Sequence, residues 1–169
     1  MSIPNLADVL QIIDRIENLG SDGILDLSSL CEYIDIEKDL EEVIKEYGCD
    51  TQIRVLNLSN NKISVLPSFH YLIRLEELIL ANNFIRVFNF DVLPPSCINI
   101  DISNNFLVDD DIIIEDGSGI QIERIIIKQN KLLKFSFKSF PSLDYLAVSN
   151  NDYETFEYIL PPSLKTLIA

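Results

Sequence analysis

Leu56-Asn57-Leu58-Ser59-Asn60-Asn61-Lys62-Ile63 is the stretch that decides the reading, because it recurs in altered form down the rest of the chain. Asparagines at 61, 83, 105, 130 and 151 are each preceded by apolar residues at minus eight, minus five and minus three. Those columns read Ile53, Leu75, Cys97, Ile122, Leu143; then Leu56, Leu78, Ile100, Ile125, Leu146; then Leu58, Leu80, Ile102, Ile127, Val148. Ile63, Ile85, Leu107, Leu132 and Tyr153 stand at plus two, the spacings between asparagines are 22, 22, 25 and 21, and a partial copy, Leu164, Leu167 and Ala169, ends the chain. Residues two apart on a strand point to one face, so each unit predicts one short parallel strand with its apolar pair inward and the residue between them in solvent. The asparagine carboxamide has donors and an acceptor to satisfy backbone groups where the chain leaves the strand, which gives it a structural role.

This pattern resembles the leucine-rich-repeat family, whose units read L-x-x-L-x-L-x-x-N-x-L. The first 22-residue unit, with Ile63, Leu66, Phe69, Leu72, Leu75 and Leu78 every third position, is similar to the phosphatase-regulator subclass. The fold expected is an α/β leucine-rich-repeat solenoid: a curved parallel sheet of about six strands on the concave face, loops and short helical turns on the convex face, and an N-terminal helical cap. Units are expected at 53–74, 75–96, 97–121, 122–142 and 143–163, with a partial one at 164–169. Largely aromatic columns at plus five (Leu66, Phe88, Asp110, Phe135, Phe156) and plus seven (Ser68, Phe90, Ile112, Phe137, Tyr158) are read as convex core, broken at Asp110.

Residues 1–52 form the expected cap. Leu6, Val9, Leu10, Ile13 and Ile16 predict a helix over 5–19, capped by Asn5 and stopped by Gly20; Ile36, Leu40, Val43, Ile44 and Tyr47 predict a second over 35–47, ended by Gly48. Between them Leu25-Asp26-Leu27-Ser28-Ser29 aligns with Leu56-Asn57-Leu58-Ser59-Asn60. The offset resembles a longer, helix-containing repeat of the ribonuclease-inhibitor kind, here a degenerate first repeat over 22–52. Ala169 falls inside a strand motif, so the chain is expected either to be part of a longer protein or to self-associate through that end.

The chain carries 27 acids and 13 bases, and residues 1–52 hold 13 acids against 3 bases. An acidic surface repels phosphate backbones and anionic lipid; it excludes nucleic acid and membrane as expected partners and suits a partner protein with a basic surface. An N-terminus without a basic or apolar leader and an odd set of cysteines, Cys31, Cys49 and Cys97, with no C-x-x-C pair, point to an intracellular protein with free thiols and no zinc site. One histidine, His70, and the absence of phosphate-binding, zincin or nucleophile-elbow motifs give no catalytic constellation, no metal and no cofactor. Asp109-Asp110-Asp111 and Glu115-Asp116-Gly117 lack calcium-loop spacing and are read as a solvated acidic bulge of the longest unit.

The expected function is therefore a non-catalytic protein-interaction module, a scaffold or adaptor. Alternatives are a targeting domain of a larger enzyme and a self-assembling structural protein. By register the solvent-facing strand positions include Val55, Glu77, Ile79, Asp101, Arg124, Ile126, Lys128 and Tyr145, which combine exposed aliphatics with an aromatic and an arginine, and these are the candidate partner-binding residues.

Overall fold

The computed structural model describes residues 6–30, 36–114, 121–134, 136–152 and 160–169. Two helices, α1 (Leu6–Glu17) and α2 (Ile36–Glu46), flank the first strand, β1 (Ile24–Asp26). The remaining strands are β2 (Val55–Asn57), β3 (Glu77–Ile79), β4 (Phe88–Asn89), β5 (Asn99–Asp101), β6 (Ile112–Ile113), β7 (Arg124–Ile126), β8 (Tyr145–Ala147) and β9 (Thr166–Ile168). Seven of them form one parallel sheet in the order β1-β2-β3-β5-β7-β8-β9, each beside its neighbour in sequence. The fold is a leucine-rich-repeat solenoid. The register is that of the apolar columns, with Leu25, Leu56, Leu78, Ile100, Ile125, Leu146 and Leu167 side by side.

The count is one above the about six strands expected, because the degenerate first repeat and the partial last one each contribute a full strand. Ile24 to Asp26 pair with Val55 to Asn57 at the offset read from sequence. The convex face also contains a feature the sequence reading lacked, a second, two-stranded parallel sheet that pairs Phe88 with Ile112 and Asn89 with Ile113. The expected short helical turns are 3₁₀ turns at Phe90–Val92 and Asp109–Asp111, the first capped by the Asn89 carboxamide, which accepts the Asp91 amide at 2.9 Å.

The core is continuous from cap to last repeat. Ile12, Ile16, Leu40 and Ile44 of the two helices join the repeat columns in one apolar cluster. Leu10, assigned to the buried face of α1, is 55% exposed, and Tyr47 of the second helical face is exposed as well. Gly20 does not stop α1. The helix ends at Glu17, where the Asn18 carboxamide donates to the Asp14 carbonyl at 2.7 Å. Gly48 does have the left-handed φ of 63° that ends α2. Phe88, Phe90, Phe137 and Phe140 are buried, with Phe90 edge-on to Phe88 at 4.9 Å and to Phe140 at 4.8 Å. Asp110 is exposed, as the break in its column implied. Asn5, Cys31, Glu115 to Gly117, Phe135, Tyr153, Phe156 and Tyr158 lie outside the described residues.

Two asparagine ladders run along the rim where the strands end. In the inner ladder each carboxamide ties its own turn to the preceding one. Asn105 donates to the Leu80 carbonyl of the preceding turn at 3.0 Å and to its own Ile102 carbonyl at 3.1 Å, and accepts the Ile85 amide at 3.0 Å. Asn61, Asn83, Asn130 and Asn151 repeat this arrangement. The structural role expected of them is what the structure gives.

The outer ladder is a finding of the structure. Ser29, Asn60, Asn82, Asn104, Gln129 and Asn150, each one residue earlier, all have φ between 50° and 59°. This left-handed conformation costs ordinary residues about 1–2 kcal/mol and is best tolerated by glycine and asparagine. It reverses the chain while the backbone amide still pairs with the next turn, as Asn82 does with Ser103 at 3.0 Å and Gln129 with Ser149 at 3.0 Å. Gln129 is the member with a longer side chain. Gln129→Asn is expected to stabilise the fold by about 0.5–1 kcal/mol, read as a higher urea midpoint at unchanged slope.

Candidate functional site on the concave sheet

Each strand of the large sheet from β1 to β8 sends its central residue into the core and, by the alternation of the pleat, turns its flanking residues outward, whereas Leu167 at the centre of β9 is exposed. In the first outward column Val55, Glu77, Asn99, Arg124 and Tyr145 stand side by side; in the second, Asn57, Ile79, Asp101, Ile126, Ala147 and Ile168 do. Val55, Glu77, Ile79, Asp101, Arg124, Ile126, Lys128 and Tyr145 are all half-buried on this face. The structure thus brings all eight residues onto one surface. At its β7–β8 end the Arg124 guanidinium stacks on the Tyr145 ring, Cζ to centroid 3.8 Å, made possible because β7 and β8 set the two in direct register. Stacking holds the planar cation flat and leaves its edge donors for a ligand.

Charges are dispersed across this face. Glu77, Asp101, Arg124 and Lys128 form no ion pair with another described residue; the pairs present are Lys45–Glu41 at 2.5 Å, Arg54–Glu76 at 2.7 Å and Lys165–Asp144 at 3.1 Å. Glu77 and Arg124 are two strands apart, about 10 Å, too far to neutralise each other. The Arg54–Glu76 pair sits one position before the strands, where two parallel bonds of 2.9 and 2.7 Å hold Glu76 below the usual carboxylate range.

Two positions differ from the simple alternating picture. Asp101 is tied locally: its carboxylate accepts the Ser103 amide at 2.9 Å, as Asp26 and Asn57 accept Ser28 at 2.9 Å and Ser59 at 3.0 Å. This turn-forming bond claims one carboxylate oxygen for the end of the strand. Ala147 faces outward by register yet is fully buried, its methyl group lying between the larger Ile126 and Ile168 on adjacent strands. Neither deviation is visible in the repeat pattern alone.

Elsewhere the described chemistry is structural. The exposed His70 donates from Nε2 to the backbone carbonyl oxygen of Asp91, and the 2.7 Å bond ties two convex connectors together. Cys49 and Cys97 are free and buried, and burial pushes the Cys97 thiol up to about 12, far from a reactive thiolate. Among the described residues no three His, Cys, Asp or Glu side chains gather into a metal-binding group, and no helix is long and apolar enough to cross a membrane.

The class of this molecule, a leucine-rich-repeat solenoid, rests on its own register and ladders. No family model and no curated protein matches the chain. Among solved structures it is similar to the functional domain of InlJ from Listeria monocytogenes, a domain that includes a cysteine ladder. Identity is 12% and the TM-score 0.47, over 78% of this chain; the match spans 29% of that chain's length.

Proposed function

We propose that the chain is a non-catalytic protein-recognition module whose concave sheet docks a folded partner or peptide. The observation that carries this reading is the Arg124–Tyr145 stack beside Ile126 on a parallel sheet, an aromatic and an arginine with the composition of an interface centre. The unpaired Glu77, Arg124 and Lys128 around it supply charges that a partner neutralises. The 22-residue units and their apolar residues at every third position support kinship with the phosphatase-regulator subclass. Buried free thiols support a reducing, intracellular setting.

The test is capture from native extract by wild type and by an Ile79→Glu, Ile126→Glu, Tyr145→Ala variant whose circular dichroism matches wild type. A protein retained by the first and reduced at least about tenfold with the second is the expected result. Equal capture by both removes the concave sheet as the docking face.

A further inference from the structure

The outward face of the large sheet has a symmetry that its repeats do not require. In the order β1-β2-β3-β5-β7-β8-β9 the middle strand is β5, with three strands on either side. By register Glu77, Asn99 and Arg124 share one outward row across β3, β5 and β7, and Ile79, Asp101 and Ile126 share the next. Val55 on β2 and Tyr145 on β8 extend the first row by one strand at each end. A second copy turned over about an axis along β5 lays its sheet face to face on the first, strands parallel, so that β3 meets β7 and β2 meets β8. Glu77 of each copy then faces Arg124 of the other, Ile79 faces Ile126, and Val55 faces the Tyr145 ring. Each pair is made twice, as an isologous contact requires.

Register within the chain is fixed by the inward columns and is indifferent to which outward position carries an acid, a base or an isoleucine. Yet an acid and a base, and two isoleucines, stand one strand to either side of β5 in matching rows. Glu77 and Arg124 are too far apart to pair within one chain, about 10 Å across two strands, and the two-fold brings each to its opposite.

The outward strand positions and the residue two past each strand carry five charges in all, Asp26, Glu77, Asp101, Arg124 and Lys128, in a chain of net charge -14. Two copies of so acidic a chain repel, and they approach at least cost through a face where the charges nearly balance. Asp101 lies on the axis and meets its own counterpart, the one like-charge contact at the centre. Lys128 on β7 stands one strand and two residues from it, a diagonal of about 7–8 Å that a long side chain spans, so two lysines flank the two carboxylates. Asp26, on the edge strand, faces Ile168 at the margin of the contact.

Seven strands at about 4.8 Å span ~29 Å, and three outward positions along each span ~14 Å, a footprint on the order of 400 Å² per copy. That is about half of a standard stable interface, which places the contact among weak, reversible associations.

We propose that the partner of the concave sheet is a second copy of this chain, held by the Glu77–Arg124 and Ile79–Ile126 pairs about a two-fold axis along β5. The inference rests on the reading of the concave sheet as the docking face and names what docks there.

The experiment is sedimentation velocity between about 5 and 500 μM on wild type and on Glu77→Arg, Arg124→Glu and Asp101→Asn variants whose circular dichroism matches wild type. Wild type is expected to pass from monomer to dimer over this range. Each charge reversal alone sets like charges opposite each other and should weaken self-association at least about tenfold. An equimolar mixture of the two reversals should dimerise again, because the two acids of one copy then face the two bases of the other. Asp101→Asn keeps an acceptor for the Ser103 amide, as Asn57 does for Ser59 at 3.0 Å, and should tighten the dimer by removing the like charges on the axis. The proposal is overturned if wild type stays monomeric throughout, if either reversal dimerises as wild type does, if the mixture stays monomeric, or if Asp101→Asn does not tighten the dimer. A strict monomer that still captures a protein lost by the triple concave variant removes the second copy as partner and leaves the concave docking face standing.

Discussion

Asn105→Asp lowers the stability of the solenoid at neutral pH by about 4 kcal/mol or more, the largest effect expected of any single isosteric change. The carboxamide of Asn105 is 5% exposed and donates to the carbonyls of Leu80 and Ile102 while accepting from the Ile85 amide. An aspartate keeps the acceptor and loses the donor, so a carboxylate would face two carbonyl oxygens away from water. The alternative is to stay protonated and donate, which raises the folded pKa above the unfolded value of about 3.9. With the pKa raised in the folded state, the unfolded state binds fewer protons above that value, and stability falls as pH rises through the window above about 3.9. Denaturant melts of wild type and variant across that range should diverge toward neutral pH and converge in acid. A difference independent of pH would mean that the carboxylate is hydrated, and the ladder site less enclosed than its burial indicates. Asn105→Ala, with no charge, should cost about 2–3 kcal/mol at every pH by orphaning the same backbone groups.

Gly23→Ala is expected to destabilise by about 3 kcal/mol, and the damage concentrates where the cap meets the first full repeat. Gly23 has φ of 72°, and a Cβ there would lie 2.4 Å from the Gln52 carbonyl oxygen. The overlap involves backbone on both sides, so no rotamer relieves it. The Gly23 carbonyl accepts the amides of Arg54 at 2.8 Å and Val55 at 3.1 Å, the first rung between β1 and β2. Forcing the strands apart at that rung exposes Leu25 and Leu56 together. Thermal melting monitored by circular dichroism should move down for Gly23→Ala and scarcely for Gly20→Ala, since a Cβ at Gly20 meets only the movable Asp22 side chain at 3.0 Å.

The parts of the structure that repeat are the parts that the sequence carries openly. A column of Leu56, Leu78, Ile100, Ile125 and Leu146 at fixed distance from an asparagine specifies register, because any slip of one residue would turn the whole column outward. Leu30 stands where the ladder asparagine should be, and its own amide donates to Asn61 Oδ1 at 3.1 Å, whereas in the intact units that oxygen takes the amide two residues past the asparagine, as Ile63 gives to Asn83. The features that escaped depend on conformation or on neighbouring side-chain size. Asn82 and Asn104 look like part of a motif until their φ values separate them from Asn83 and Asn105. The β4–β6 pair links units of unequal length, and Gly23 rather than Gly20 takes the left-handed turn because the Gln52 carbonyl closes on it. On the concave face register alone placed the eight candidate residues, but it could not foresee that Asp101 binds its own turn or that Ala147 sinks between two isoleucines.

The inner ladder also divides ownership of certain amide protons between turns. The Leu107 amide, which lies in the turn of Asn105, is held by the carboxamide of Asn130 at 3.1 Å; Ile63, Ile85 and Leu132 are likewise held by the asparagine one turn further on. Deuterium entering at Leu107 therefore reports the opening of its neighbour, and the sequence of labelled sites reads out the direction in which the coil unwinds.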